Sequence, residues 1–181
     1  MLTNSAERYG AVSRLLHWLM ALLILAMIGV GAYMTDLDKE DPLRAQLYTM
    51  HKEIGVTILV LAVLRILWIL ASRPPLLPAA LQRWEVILAK STVGLLYLLM
   101  LATPIAGYLM TNTGGKPISY FGLFDLPVLM GENHDLHETL EEVHEFLAFT
   151  ILALVGLHAL GALKHRFIDK DPEADVLKRM L

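Results

Sequence analysis

The chain predicts an all-α fold, a four-helix transmembrane bundle forming one membrane domain over 1–181, with both termini on the cytoplasmic side. Three observations carry that prediction. Four apolar runs divide the 181 residues, each near the twenty residues needed to cross a hydrocarbon core of about 30 Å. Hydrophobic residues make up 56% of the chain against 18% charged, and its mean hydropathy is +0.54, more apolar than a soluble domain of this length. Lysine and arginine, finally, gather on one side of the implied membrane.

The first run spans Leu15 to Met34, the second Ile54 to Ala71, the third Ile87 to Met110 and the fourth Phe146 to Leu163. Allowing a turn at each start, the helices are expected at about 12–35, 47–71, 85–111 and 138–165. Arg8 and Arg14 precede a first run longer than a signal core, and no A-x-A site follows it, so it reads as a retained anchor. Arg73-Pro74-Pro75 and Pro78 stop the second helix. Thr103-Pro104 predicts a kink in the third, and Asn112 to Pro117 (NTGGKP) a turn after it. Tyr120 to Val128 (YFGLFDLPV) reads as an aromatic loop at the membrane interface.

With four spans, the N-terminus, the linker after the second helix and the C-terminus share one side. It carries Arg8, Arg14, Arg73, Arg83, Lys90, Lys164, Arg166, Lys170, Lys178 and Arg179, against Lys39, Arg44, Lys52 and Lys116 opposite. Arg65, inside the second run, belongs to neither set. The bias places both termini in the cytoplasm.

Composition also excludes. A formal charge of −3 gives no footprint for nucleic acid. The absence of cysteine removes disulfides, cysteine-ligated iron–sulfur clusters, thiolate zinc sites and covalent haem attachment through Cys-x-x-Cys-His. No G-x-G-x-x-G fingerprint supports direct use of NAD(P)H.

Four of the seven histidines lie in or at the mouths of the apolar runs: His17, His51, His144 and His158. An imidazole at membrane depth is expensive and needs a partner. His17 lies near the cytoplasmic start of helix 1 and His51 near the outer start of helix 2. In helix 4, His144 is near the outer end, and His158 is fourteen residues on, four turns along one face and about 21 Å deeper. Depth therefore matches His51 with His144 and His17 with His158. Two such pairs at two levels are what two bis-histidine haems require, since a planar macrocycle takes one axial nitrogen above and one below. Gly55 and Gly156 leave room nearby.

Other uses of these residues stay open. A single histidine could pack against a neighbouring helix or snorkel to water. A histidine-based metal transporter is the sharper rival, although the four runs hold no carboxylate of the kind such a site usually adds. His137, seven residues before His144, competes as the outer residue, but pairing it with His158 would separate the two by about 31 Å, the full hydrocarbon thickness. His134 and His137 read as solvated residues of a loop or helix start, and His165, in Lys164-His165-Arg166, as part of a basic anchor.

These residues also carry a resemblance. Arg8-Tyr9-Gly10, His17-Trp18, His51-Lys52-x-Ile54-Gly55 and Arg65 resemble the prokaryotic cytochrome b561 family. So do Gly107-Tyr108-Leu109, Gly115-Lys116-Pro117-Ile118-Ser119, the loop from Phe121 (FGLFDLP), His144-Glu145-x-Leu147-Ala148, Gly156-Leu157-His158-Ala159 and Lys164-His165-Arg166-Phe167. Gly-Lys-Pro-Ile-Ser and the FDLP loop look like a branch distinct from the one known for superoxide oxidation. The resemblance implies a two-haem b-type cytochrome of the inner membrane, moving electrons between a periplasmic reactant and the quinone pool. Carried over residue by residue, its axial histidines fall on His17, His51, His144 and His158.

Propionate partners are expected from Arg14 and Arg65 on the cytoplasmic side and Lys52 and Lys116 on the outer side, with snorkelling as the other reading of Arg65. Trp18, Trp68, Trp84 and Tyr120 read as interface-belt aromatics. Glu132, Asp135, Glu138, Glu141, Glu142 and Glu145 form an acidic approach to helix 4, a solvated helix start that would repel anions and suit a basic periplasmic protein. The expected function is outer-sphere one-electron transfer between a periplasmic redox partner and quinone. The alternatives are a superoxide:ubiquinone oxidoreductase and, outside redox chemistry, a metal transporter or anchor subunit.

Overall fold

Four long helices follow one another in antiparallel order: α1 (Ala11–Asp36), α2 (Pro42–Ala71), α3 (Arg83–Asn112) and α4 (His134–Phe167). The computed structural model describes residues 1–181. All four helices are long and apolar enough to cross a membrane, with mean hydropathies of 2.2, 2.6, 1.9 and 2.2 over their most apolar 18 residues. Only 21 of 181 residues are buried, so most of the apolar surface points outward. Leu22, Leu98 and Leu160 are 69%, 60% and 66% exposed, the pattern of a bundle whose solvent is lipid.

What interior there is joins α1, α2 and α3. Met20, Ala62 and Met100 form its centre, backed by Ile24, Leu61, Tyr97 and Leu101. In α1 the buried residues are Met20, Met27 and Met34, a repeat of seven along one stripe, and the flexible thioethers adapt to irregular gaps. α1 packs on α2, α2 on α3 and α3 on α4, while α1 and α4 meet sparsely; no α-carbon of α2 comes within 8 Å of one in α4. The fourth helix stands off from the second.

Local chemistry explains the helix limits. Asp41 accepts from Leu43 N with Pro42 in the first turn, and Asn133 accepts from Leu136 N; these caps start α2 and α4 five and four residues before the expected starts at 47 and 138. α3 opens on a reciprocal capping box between Gln82 and Glu85. It runs on as helix through Pro104, and Gly115, at φ 69°, turns the chain after it. The aromatic loop contains a feature absent from the sequence reading, a two-stranded hairpin of β1 (Ser119–Tyr120) and β2 (Phe124–Asp125). Phe121 and Gly122, at φ 50° and 69°, make the turn. Thr57 Oγ1 lies 3.0 Å from the Tyr120 hydroxyl and the Phe121 N–H donates to Glu53 at 3.1 Å, fixing the hairpin to α2.

Both termini lie at one end of the bundle. Asn4 donates to the Ser72 carbonyl at 2.8 Å, Tyr9 N to the Arg179 carbonyl, and Arg179 to the Leu76 carbonyl. At the opposite end the fully buried Asn112 receives Leu129 N and donates to the Tyr108 carbonyl, holding the α3–α4 connection over the bundle mouth.

Candidate functional site

The four intramembrane histidines meet in two pairs. His17 of α1 faces His158 of α4 with ring centroids 6.2 Å apart and planes at 61°. His51 of α2 faces His144 of α4 at 6.0 Å and 76°. Two metal–imidazole bonds of about 2 Å, with the ring radius added at each end, set ring centroids about 6 Å apart. The rings therefore stand at the spacing of a shared axial metal. Since α2 and α4 make no close backbone approach, His51 and His144 reach towards each other across a diagonal of the bundle.

The pairs differ in what holds their rings. His144 Nδ1 donates to the Thr103 carbonyl at 2.9 Å, which leaves Nε2 as the free nitrogen and fixes the tautomer. His51 Nδ1 is buried with no hydrogen-bond partner, a state that costs about 1–3 kcal/mol in a residue serving only to pack. At the other pair, Arg65 Nη2 lies 3.0 Å from His17 Nδ1 and Arg65 Nε donates to the Tyr97 hydroxyl at 3.1 Å. The guanidinium also sits 5.4 Å from the Tyr97 ring centroid. Arg65 thus turns into the bundle beside the His17/His158 pair, where Tyr97 and His17 supply its partners.

The remaining expected residues are spread more widely. Arg14 Nη1 donates to the Leu181 carbonyl, tying the terminal segment to α1. Lys52 is half-buried one residue from His51, and Lys116 is exposed. The Trp18, Trp68 and Trp84 indoles donate to the Met180 carbonyl, Ser13 and Gln82. His134 is exposed, as expected. His137 is not solvated: it is half-buried, with Nδ1 2.9 Å from the Met110 carbonyl and 3.1 Å from Thr113 Oγ1, because the first turn of α4 closes on the end of α3. His165 is buried at 9% exposure, with Nδ1 2.6 Å from Asp169. Lys164 Nζ fills the centre of that cluster at 2.6 Å from Glu85 and 2.8 Å from Asp169, where a cation would otherwise sit.

Sequence reasoning missed the Thr103 carbonyl and two glycines. A Cβ at Gly55 or Gly156 would meet nothing within 4 Å; the glycines against the rings are Gly31, facing His51, and Gly107, facing His144. A carbonyl has no sequence signature, and the glycines lie on helices other than those of the histidines they face.

Residues 8–181 match the family model described as prokaryotic cytochrome b561. With its four spanning helices, the chain is a multi-pass b-type cytochrome of the bacterial inner membrane, working in electron transfer. It is 37% identical over 179 residues to cytochrome b561 homolog 2 of Escherichia coli K12, covering 99% of this chain and 94% of that one. It is 32% identical over 179 residues to the probable superoxide oxidase CybB of Yersinia pestis, covering 97% and 96%. Cytochrome b561 homolog 1 of Escherichia coli K12 is 24% identical over 175 residues, covering 97% of each. The chain belongs to the prokaryotic cytochrome b561 family.

Proposed function

We propose that the chain holds two haem b groups, one between His51 and His144 and one between His17 and His158, and passes single electrons between a periplasmic redox partner and membrane quinone. The observation that carries this reading is the pair of facing rings at 6.0 and 6.2 Å. Both termini then lie in the cytoplasm, following the lysine and arginine bias, so the His51/His144 pair is the outer one.

Haem held this way supplies reversible one-electron chemistry with both axial positions filled, leaving none for a substrate. The chain's own groups do the rest. The Thr103 carbonyl keeps the hydrogen of His144 on Nδ1 and points Nε2 inward. Arginine has only donors, so beside Arg65 the His17 Nδ1 is an acceptor and its hydrogen sits on Nε2. Arg65, held by the Tyr97 hydroxyl, would be the cation available to a haem propionate beside this pair. Lys52 and Lys116 serve the outer propionates.

Purification in detergent, a dithionite-reduced minus oxidised spectrum and pyridine haemochrome quantification test this reading. Two b-type haems per chain are expected. One haem would leave a histidine pair unused; none, after haem-sufficient expression, would sink the reading and favour a histidine metal site or an anchor subunit, which zinc loading separates.

A second reading, superoxide oxidation with ubiquinone as acceptor, is favoured by the 32% identity to a protein named a probable superoxide oxidase. The exposed carboxylates Glu132, Asp135, Glu138, Glu141, Glu142 and Glu145 weigh against an anionic substrate. Superoxide consumption coupled stoichiometrically to ubiquinone reduction decides between them.

A further inference from the structure

Gly31 and Gly107 are the points at which two helices give way to the outer imidazoles. A Cβ built at Gly31 of α1 would lie 3.3 Å from His51 Cε1 and 3.9 Å from Nδ1. One at Gly107 of α3 would lie 2.9 Å from His144 Cε1, 3.0 Å from Nδ1 and 3.7 Å from Nε2. Each ring of the outer pair is therefore backed by a glycine from the helix preceding its own in the chain. Glycine in a helix interior costs about 1 kcal/mol relative to alanine, so two of them against two paired rings call for a reason in packing. The inner pair has no counterpart: neither His17 nor His158 is among the nearest neighbours of any glycine.

We propose that Gly31 and Gly107 are positioning residues that set the ring planes of the outer histidine pair, and through them the electronic character of that centre alone. The inference rests on the two-haem reading above. Gly107 lies one turn from Thr103, whose carbonyl takes the His144 Nδ1–H; the bond fixes where the ring points and the missing side chain fixes how far it can turn. His51 has no hydrogen bond at Nδ1, so the room left by the absent side chain at Gly31 decides which plane its ring can take. The result is an interplanar angle of 76° outside against 61° inside. Axial imidazole planes close to perpendicular keep the two iron π orbitals nearly equal in energy, which oxidised low-spin haem shows as an electron paramagnetic resonance (EPR) signal with a large gmax.

The test compares wild type, Gly31→Ala, Gly107→Ala and Gly29→Ala in the full-length, haem-loaded chain, by haem content, EPR and potentiometric titration. Gly29 is a control on α1, since a Cβ there would meet nothing within 4 Å. The outer signal is the one missing from His144→Ala. The expected result is a lower outer gmax and a moved outer potential in Gly31→Ala and Gly107→Ala, an unchanged inner signal, and a Gly29→Ala protein matching wild type. Wild-type spectra and potentials in both variants would overturn the inference while leaving the two-haem reading intact. A Gly107→Ala chain that fails to accumulate leaves the decision to the gentler Gly31→Ala, whose unchanged outer signal would overturn it equally. A wild-type chain without haem would instead overturn the function reading, and this inference with it.

Discussion

Lys164 Nζ lies 2.6 Å from Oε1 of Glu85, joining the last turn of α4 to the first turn of α3. The same ammonium reaches Asp169 at 2.8 Å, and Asp169 accepts from His165 at 2.6 Å. The bond from Lys164, and then that from His165, hold the Asp169 carboxyl below its usual range.

A depressed carboxylate contributes stability that is present above its unfolded value of about 3.9 and is lost as pH falls through the folded one. Asp169→Asn should therefore lower Tm by several degrees between pH 5 and pH 7. The gap from wild type should close progressively below about pH 4. Thermal unfolding of both proteins across that range, followed by haem absorbance, checks it; a gap that widens in acid would contradict the pairing.

Single alanine substitutions should remove haems pairwise. His51→Ala and His144→Ala are expected to lose one and the same haem, and His17→Ala and His158→Ala the other, with total haem content falling by about half in each case. Pyridine haemochrome analysis and the split of the reduced α-band read this out. Loss of the same haem from His144→Ala and His158→Ala would break the assignment.

Arg65→Gln should lower the midpoint potential of one haem only. A cation favours the less positive, reduced state. At an effective dielectric of 20 and about 8 Å, a unit charge is worth about 2 kcal/mol, enough for a fall of tens of millivolts. A potentiometric titration that moves both haems equally, or neither, would contradict the contact between Arg65 and the inner pair.

Reduction of the outer haem by soluble donors should depend on charge. Asp36 at the end of α1 and Asp38 and Glu40 in the α1–α2 connection are exposed, as are the carboxylates at the start of α4. A cationic one-electron donor is expected to react severalfold faster than an anionic one of equal potential at low ionic strength. The advantage should shrink by 0.5 M salt as screening shortens the field. Stopped-flow reduction with matched cobalt complexes measures it.

The four helices were legible because lipid imposes apolar runs of a set length, and helix rise alone converts the positions of His17, His51, His144 and His158 into depth. Helix ends were less legible: Asp41-Pro42 and Asn133 cap α2 and α4 outside the apolar pattern, where hydrophobic periodicity carries no information. The Phe121–Gly122 turn gives a two-residue ladder too short to show alternation. His137 read as solvated and His165 as part of a basic anchor because their neighbours in sequence are charged, yet their partners, the Met110 carbonyl and Asp169, are set by where helices end. The ring contacts of Gly31 and of Gly107, which stood out only as part of Gly107-Tyr108-Leu109, were invisible for a related reason: a close approach between helices is a property of two positions.

α4 supplies one ring to each pair, from His144 and His158. With a haem in each pair, as proposed, the gap an electron must tunnel between them would be measured along a single hydrogen-bonded rod, whose rise is fixed by backbone geometry. Anything that tilts or overwinds α4 alters both centres together, which makes the α3–α4 contact, secured by Lys164 at one end and His137 at the other, the place where the rate of internal transfer is protected.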